Sequence, residues 1–278
     1  MKKLLCNISI LISCAVCQSE DAIWQWEKYG LEKTNNPCAI PQAPQKGSDM
    51  GPLHKAWSKI DYSTWGADTI FLGDSITCLW NSHPTRPNGA KPLSELRKKY
   101  AFNPINFGIA GIESQDLLWL LTEGDIIKQG VNPKVAVLMI GINSLNRKKT
   151  PEQVADGIKT VIEVLKRMKP EMKILLLGIW PCWPKQHPVR TKVTEANHLL
   201  EALADWKNVY FLDLGNEFLT DKGEMNSILI CDGIHLSEKG YVRWGELMMP
   251  YLTNLLRGQT PELWDQIRKN HGKITLNP

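Results

Sequence analysis

Short runs of consecutive apolar residues recur through the middle of the chain. Two of them, Val135–Ile140 and Ile174–Leu177, are apolar at every position. Continuous apolarity, as opposed to alternation, is typical of strands that are covered on both faces, as in a parallel sheet. Together with their flanking turns, such runs predict five strands: Thr69–Leu72, Pro104–Phe107, Val135–Ile140, Ile174–Leu177 and Val209–Leu212.

Longer segments with helical spacing separate these runs. One begins at Pro151, which suits a first helical turn and follows the capping residue Thr150. Apolar residues then recur every three or four positions, which predicts one buried face. Two more helices are predicted over about residues 191–206 and 239–256. Strands that alternate with helices imply right-handed crossovers and a three-layer α/β/α sandwich, with its site beyond the carboxyl ends of a five-stranded parallel sheet.

The first 17 residues predict an export signal. Two lysines precede a mainly apolar stretch, Leu4–Val16, that is too short to span a bilayer. Residues 11–14 are similar to a bacterial lipobox, in which Cys14 becomes the lipidated first residue and attaches the protein to a membrane. Cleavage after Cys17 and an uncleaved segment are the alternatives. We therefore expect an exported protein, whether an outer-membrane lipoprotein, a periplasmic protein or a freely secreted one.

The remaining chain predicts one domain with two flanking segments. Residues 18–67 contain clusters of Pro, Gly and Asn, which mark irregular chain, so we expect a leader that packs on the body. The α/β pattern occupies residues 68–258, and residues 259–278 form a C-terminal tail. With 43% hydrophobic and 22% charged residues, the composition is that of an ordinary globular protein and argues against disorder.

The charge of the chain argues against nucleic acid as a partner. The 33 basic and 29 acidic residues give a formal charge of +4 without any run of like charges, so no nucleic-acid surface is predicted.

Four cysteines follow the signal, and an exported protein would meet an oxidising compartment. They allow three full pairings, and the sequence neither selects one nor excludes free thiols. These cysteines are Cys38, Cys78, Cys182 and Cys231.

Polar motifs follow the predicted strands. The first strand leads into Gly73–Ser75, the second into Gly108–Gly111 and the third into Gly141–Asn143, while Asp232 precedes His235 by three positions near the C-terminus. An acidic residue at that spacing can accept the imidazole N–H within one loop, which leaves the other ring nitrogen to take a proton from a serine. Each motif alone is a common turn. Together, in this order, they predict a nucleophilic serine site.

With these motifs, the sequence resembles the SGNH (GDSL-type) hydrolase family. Two additional segments, residues 151–158 and 177–181, are similar to the branch that contains the platelet-activating-factor acetylhydrolase catalytic subunits and related bacterial esterases. The resemblance covers about residues 68–256 and implies a flavodoxin-like α/β fold. The motifs that carry it are Phe71–Thr77, Asn106–Gly111, Gly141–Asn143 and Asp232–His235.

The resemblance implies a role for each motif residue. Ser75 would be the nucleophile, His235 its base and Asp232 the group that orients His235. The oxyanion hole would consist of the backbone N–H groups of Ser75 and Gly111 with the side-chain amide of Asn143. Such chemistry needs no cofactor, and we find no metal-ligand spacing in the sequence.

The residues around the motifs support weaker expectations. The family often has Asp or Asn after the oxyanion asparagine, so Ser144 is expected to hold its turn with fewer hydrogen bonds. Trp80, Trp180 and Trp183 would form an aromatic wall for an acyl chain or a sugar ring, with core packing as the alternative. Arg190 would anchor a carboxylate or phosphate, with a structural salt bridge as the alternative.

The expected reaction is hydrolysis of carboxylic esters through a covalent acyl-enzyme. Because the similar branch contains acetylhydrolases, short acyl groups are expected, and an acetylated polysaccharide suits an exported enzyme. A lysophospholipase or short-chain lipase is the alternative enzyme. A non-catalytic carbohydrate-binding protein on the same scaffold is the alternative from another functional class. The sequence does not indicate an oligomeric state.

Overall fold

The computed structural model describes residues 28–127, 131–258 and 264–265. The chain divides into two units, residues 1–33 and 34–278. Of the first unit only residues 28–33 are described, and there the Lys28 ammonium lies 5.2 Å from the centre of the Tyr29 ring. The predicted export signal, with Cys14 and Cys17, and most of the predicted tail lie outside the described residues.

Five parallel strands form one sheet in the order β2-β1-β3-β4-β5. Every residue of β1 and β3 is buried, and for β3 its unbroken apolar run predicts this. The predicted five-stranded parallel sheet is confirmed, and each predicted strand boundary lies within one residue of the observed one. The strands are β1 Thr69–Gly73, β2 Pro104–Asn106, β3 Val135–Met139, β4 Lys173–Leu177 and β5 Val209–Leu212.

Helices alternate with the strands along the chain, which gives the α/β fold. None of the helices within the described ranges is long and apolar enough to cross a membrane. The α-helices are α1 Met50–Trp57, α2 Ser75–Cys78, α3 Ala90–Tyr100, α4 Ser114–Thr122, α5 Ile142–Asn146, α6 Pro151–Met168, α7 Pro188–Glu201 and α8 Glu238–Leu256. Short 3-10 turns occupy Pro37–Ala39, Ser63–Trp65 and Gly215–Phe218.

Helix α6 begins where the sequence predicts. The Thr150 hydroxyl accepts a hydrogen bond from the Gln153 backbone N–H at 3.2 Å, and the Gln153 side chain accepts one from the Thr150 N–H at 3.0 Å. This reciprocal pair is a capping box, which satisfies two N–H groups that the helix itself leaves without partners.

Helix α7 differs from its prediction over residues 191–206, since it begins at Pro188 and ends at Glu201. The His187 side chain caps it by accepting from the Val189 N–H. Beyond its end, the Asp205 carboxylate accepts from the N–H groups of residues 207–209 and bends the chain into β5. A side chain that competes with the helix for backbone donors ends the helix early.

Part of the predicted leader lies on α4 and α6. The Cys38 carbonyl accepts a hydrogen bond from the Ser114 hydroxyl at 2.7 Å, and the Asn36 amide donates to the Gln153 carbonyl at 2.9 Å. Gly157 permits this approach, because a Cβ at that position would lie 2.6 Å from the Cys38 carbonyl oxygen. The leader residues therefore meet the body through specific hydrogen bonds and close packing.

Candidate active site

Ser75 is the first residue of α2, directly after β1. Asp74 caps this short helix, with its buried carboxylate accepting from the Ile76 N–H at 3.0 Å. Burial raises the pKa of Asp74 to about 7. Gly73 lies tightly between β3 and α2: a Cβ there would lie 2.2 Å from the Met139 carbonyl oxygen and 2.3 Å from Thr77 Oγ1. Glycine followed by a capping residue thus displays the serine at the carboxyl end of the sheet.

Three predicted side chains meet in one hydrogen-bonded chain. The Nε2 atom of His235 lies 2.8 Å from Ser75 Oγ, and its Nδ1 atom lies 2.7 Å from a carboxylate oxygen of Asp232. The Ser75 side chain is largely buried, and that of His235 is 16% exposed. This arrangement places a base at the serine hydroxyl and an acceptor behind the base, which is the geometry of a serine nucleophile.

Asp232 also shapes the loop that carries His235. Its second carboxylate oxygen accepts from the backbone N–H groups of His235 at 2.7 Å and of Ile234 at 3.0 Å. Partial burial raises the pKa of Asp232, but the hydrogen bonds from His235 and Ile234 outweigh burial and hold it below its usual value. The carboxylate is therefore ionised near neutral pH and fixes the imidazole by its charge and its geometry.

The two remaining predicted donors lie close to each other. Gly111 has a φ of +77°, and its carbonyl accepts from the Arg147 guanidinium at 3.0 Å. The Asn143 amide, at the start of α5, donates to the Ile112 carbonyl at 2.9 Å. An amide carries two N–H donors, so this bond occupies one of them. Residues 111 and 112 thus join the two candidate oxyanion donors in one wall.

Asn106 couples the glycine loop to the helix of the nucleophile. Its amide donates to the Thr77 carbonyl at 2.8 Å, while its side-chain oxygen accepts from the Gly108 N–H at 2.8 Å. Gly108 lies so close to α2 that a Cβ there would be 2.4 Å from the Cys78 nitrogen. Asn106 was part of the sequence motif, but nothing in the sequence assigned it this connecting position.

Trp183 connects two walls of the site. Its backbone N–H donates to the Gly233 carbonyl at 2.9 Å, and its indole N–H donates to the Asn146 side chain at 2.9 Å. Asn146 lies in α5, the helix that also carries Asn143. Trp183 has a φ of +69°, which is rare for a bulky residue, so its contacts hold an unfavourable backbone conformation. Nothing in the sequence indicated this contact of Asn146.

The prediction that Trp80 and Trp180 line the crevice is wrong. Both are buried, with exposures of 0% and 2%. Trp80 packs on Trp244 of α8 with ring centres 4.9 Å apart, and Trp180 packs on Phe218 at 4.2 Å. Their large apolar surfaces stabilise the core, because α8 covers Trp80 and the 3-10 turn Gly215–Phe218 covers Trp180.

Arg190 likewise has a structural position. Its guanidinium donates to the Trp183 carbonyl at 3.2 Å and to the Gly223 carbonyl at 3.1 Å. Within the described residues these hydrogen bonds, and no ion pair, are found for Arg190, so the expected salt bridge is not observed and the substrate anchor stays a prediction. Arg190 therefore supports the segment that contains Trp183.

Ser144 lies in α5 and is fully buried beside the leader. Burial raises the pKa of the nearby Cys38 thiol, although the Ser144 and Ser114 hydroxyls lower it in part. Cys38, Cys78, Cys182 and Cys231 are all free thiols. Within the described ranges, no group of three or more His, Cys, Asp or Glu side chains is placed to hold a metal.

Known proteins are similar to this chain in sequence. The model of the GDSL-like lipase/acylhydrolase family matches residues 71–243. Platelet-activating factor acetylhydrolase IB subunit alpha2 of Rattus norvegicus is 30% identical over 231 residues, which is 82% of this chain and 95% of that protein. The alpha1 subunit of the same organism is 31% identical over 213 residues, which is 76% of this chain and 85% of that protein.

Solved structures share the fold at lower identity. The acetyl xylan esterase AlAXEase matches with a TM-score of 0.55 and 22% identity, over 66% of this chain and 98% of its own. The aryl esterase of M. smegmatis matches with a TM-score of 0.54 and 19% identity, over 68% of this chain and 99% of its own. The chain therefore belongs to the GDSL-like lipase/acylhydrolase family and is a hydrolase of ester bonds.

Proposed function

We propose that the protein is an exported serine esterase that removes short acyl groups, acetyl above all, from carbohydrates. The observation that carries the proposal is the hydrogen-bonded chain from Ser75 through His235 to Asp232. A serine hydroxyl is a weak nucleophile until a base takes its proton, and His235 Nε2 is within reach to do so.

The geometry supports a two-step reaction. Ser75 Oγ attacks the ester carbonyl carbon while its proton passes to His235 Nε2, and the Asp232 carboxylate stabilises the imidazolium. The N–H groups of Ser75 and Gly111 and the Asn143 amide stabilise the oxyanion, where one such donor contributes about 3–4 kcal/mol. His235 then protonates the leaving alcohol, and the acyl group remains on Ser75. Water, activated by the same base, attacks the acyl-enzyme and releases the acid.

The acyl preference rests on similarity. The relatives from Rattus norvegicus are acetylhydrolases by name, and one protein of the same fold is an acetyl xylan esterase. These names support an acetyl group as the acyl part and a carbohydrate as the alcohol part. Export rests on the basic and apolar pattern of residues 1–17.

The test is hydrolysis of p-nitrophenyl acetate, butyrate and octanoate by the protein and by Ser75→Ala. We expect the acetate to be the best substrate and the variant to lose at least about 10³-fold in kcat. Ser63→Ala, a change at an exposed serine turn, is the control and should retain activity. Equal rates for Ser75→Ala and the unchanged protein would contradict the proposal, and a preference for octanoate would favour a lipase.

Export has a separate test. Mass spectrometry of the N-terminus from cells is expected to find Cys14 as an acylated first residue, and Cys14→Ser should release the protein from the membrane fraction. An N-terminus at Gln18 would indicate cleavage after Cys17 and a freely exported protein. An intact N-terminus at Met1 would contradict export.

A further inference from the structure

A pocket of about 350 Å³ lies between the leader and the body, beside Gly111. The leader contributes Gln42, Gln45 and Ser48 to its lining, and the body contributes Glu113, Asp116 and Arg147. The volume is near the lower end of the range for small-molecule sites, which suits a group the size of one sugar ring.

This pocket shares a wall with the candidate oxyanion donors. Gly111 and Ile112 both line it. The Gly111 carbonyl accepts from Arg147 at 3.0 Å, and the Ile112 carbonyl accepts from the Asn143 amide at 2.9 Å. The pocket therefore adjoins the candidate oxyanion donors across residues 111 and 112, although Ser75, Asn143 and His235 do not line it.

The lining presents both donors and acceptors. The lining contains two glutamine amides, a serine hydroxyl and two carboxylates, so a ligand hydroxyl can donate and accept at once. Ser48 Oγ and Glu113 Oε2 are buried without a hydrogen-bond partner within the described part of the chain. Buried polar atoms in that condition are costly, and a hydroxyl-bearing ligand would satisfy them after a small side-chain rotation.

The charges of the lining select among ligands. Glu113 lies 2.9 Å from the Arg147 guanidinium, which neutralises the pair. The Asp116 carboxylate accepts from the Glu113 N–H at 2.8 Å and adds a negative charge. Anionic phosphate would meet this carboxylate, while Met50, Ala110 and Ile112 give the lining an apolar part that suits one face of a sugar ring. A neutral polyol matches the lining best.

From this we infer that the pocket binds the sugar ring on the alcohol side of the ester, with the leader glutamines as its specificity-determining residues. This inference rests on the proposed function, because the sugar must be bonded to the acyl group that Ser75 attacks. The leader thus becomes part of the substrate site. A segment outside the α/β domain would then recognise the sugar alcohol that leaves when Ser75 takes the acyl group.

The experiment compares kcat/KM for methyl 6-O-acetyl-glucopyranoside with kcat/KM for ethyl acetate, which has no hydroxyl. The full-length protein is measured beside a Gln42→Leu/Gln45→Leu variant and a control, Gln186→Leu. Gln186 is exposed in the loop before α7 and does not line the pocket. Circular dichroism and thermal unfolding confirm that each variant is folded.

We expect the sugar-to-ethyl ratio of kcat/KM to exceed ten in the unchanged protein and to fall about tenfold in the double variant, with Gln186→Leu near the unchanged ratio. Free methyl glucoside should inhibit competitively, and less so in the double variant. An equal ratio in all three folded proteins would overturn the subsite and leave the esterase intact. If the protein hydrolysed none of the three esters (the acetylated glucoside, ethyl acetate and p-nitrophenyl acetate), the subsite and the proposed function would both be overturned.

Discussion

At the scale of single residues, Asp232 combines two tasks. One carboxylate oxygen is hydrogen-bonded to the His235 imidazole, and the other accepts from two backbone N–H groups of the same loop. The loop therefore cannot fold without placing an acceptor behind the base. Both contacts lie within a four-residue segment, which explains why the Asp232–His235 spacing was so informative in the sequence.

Asp74 supports a prediction about pH. Its pKa is raised by burial to about 7, against about 3.9 for an unfolded aspartate. Between these values the folded state binds more protons than the unfolded state, so this group lowers stability as pH rises from 4 to 7. Asp74→Asn keeps an acceptor for the Ile76 N–H and removes the buried charge.

We expect Asp74→Asn to match the unchanged protein near pH 4 and to exceed its free energy of unfolding at pH 8 by up to about 4 kcal/mol. Urea unfolding at both pH values measures the difference. Asp221→Asn, at an exposed turn, serves as control and should show no such trend. A stability difference for Asp74→Asn that is independent of pH would show that burial does not govern its ionisation.

Residue-level prediction from sequence succeeded where local spacing, as for Asp232 and His235, or the family motifs, as for Ser75, carry the information. Ser75, His235 and Asp232 are brought into hydrogen-bonding contact as predicted. It failed for Trp80 and Trp180, whose burial depends on side chains from distant parts of the chain. Position after a strand indicates proximity to the crevice, but it does not indicate what covers the side chain.

At the scale of elements, the glycine loop after β2 sets the position of α2. A Cβ at Gly108 would lie 2.4 Å from the Cys78 nitrogen and 2.7 Å from the Thr77 carbonyl carbon, both backbone atoms. Gly108→Ala should therefore push α2 and Ser75 away from His235. We expect a loss of about 3 kcal/mol in stability and a large loss of kcat, measured by urea unfolding and p-nitrophenyl acetate hydrolysis.

The control for this prediction is Gly51→Ala in α1, where the nearest atom to the new Cβ is 3.6 Å away. That change should be neutral or slightly stabilising, because alanine favours a helix over glycine. Equal effects from the two substitutions would mean that close packing at Gly108 does not position α2.

The strands and the longest helices were predictable, and the short helices were not. Unbroken apolar runs specify β3 and β4, and repeated three- and four-residue spacing specifies α6. Helices α2 and α5 have four and five residues, too few for a periodic pattern to appear. These two helices carry Ser75 and Asn143, so the elements closest to the chemistry were the least visible in the sequence.

At the scale of the whole molecule, the leader and the body together form the pocket proposed for the sugar. The sequence predicted that residues 18–67 pack on the body, but it did not indicate that they line a pocket beside Gly111. Long-range pairs create this arrangement, such as the bond between the Ser114 hydroxyl and the Cys38 carbonyl. Pairings of that kind leave no local pattern of spacing.

Gly157 offers a way to separate the leader from the body. A Cβ there would lie 2.6 Å from the Cys38 carbonyl oxygen, so Gly157→Val should displace the leader from α6 while that buried helix face remains apolar. Lys159→Val is the matched control, since the same residue is introduced on an exposed position of the same helix. Its partner Glu163 lies 3.9 Å away at the surface, where an ion pair contributes little.

We expect trypsin to cleave after the exposed Lys46 at least about tenfold faster in Gly157→Val than in Lys159→Val, because cleavage follows the population of the detached leader. The sugar-to-ethyl ratio of kcat/KM should fall in Gly157→Val as it does when the leader glutamines are replaced. Faster cleavage without a lower ratio would mean that the leader docks but does not recognise the sugar. Equal cleavage in both variants would show that the leader is held elsewhere, since the contact at Gly157 would then contribute nothing to docking.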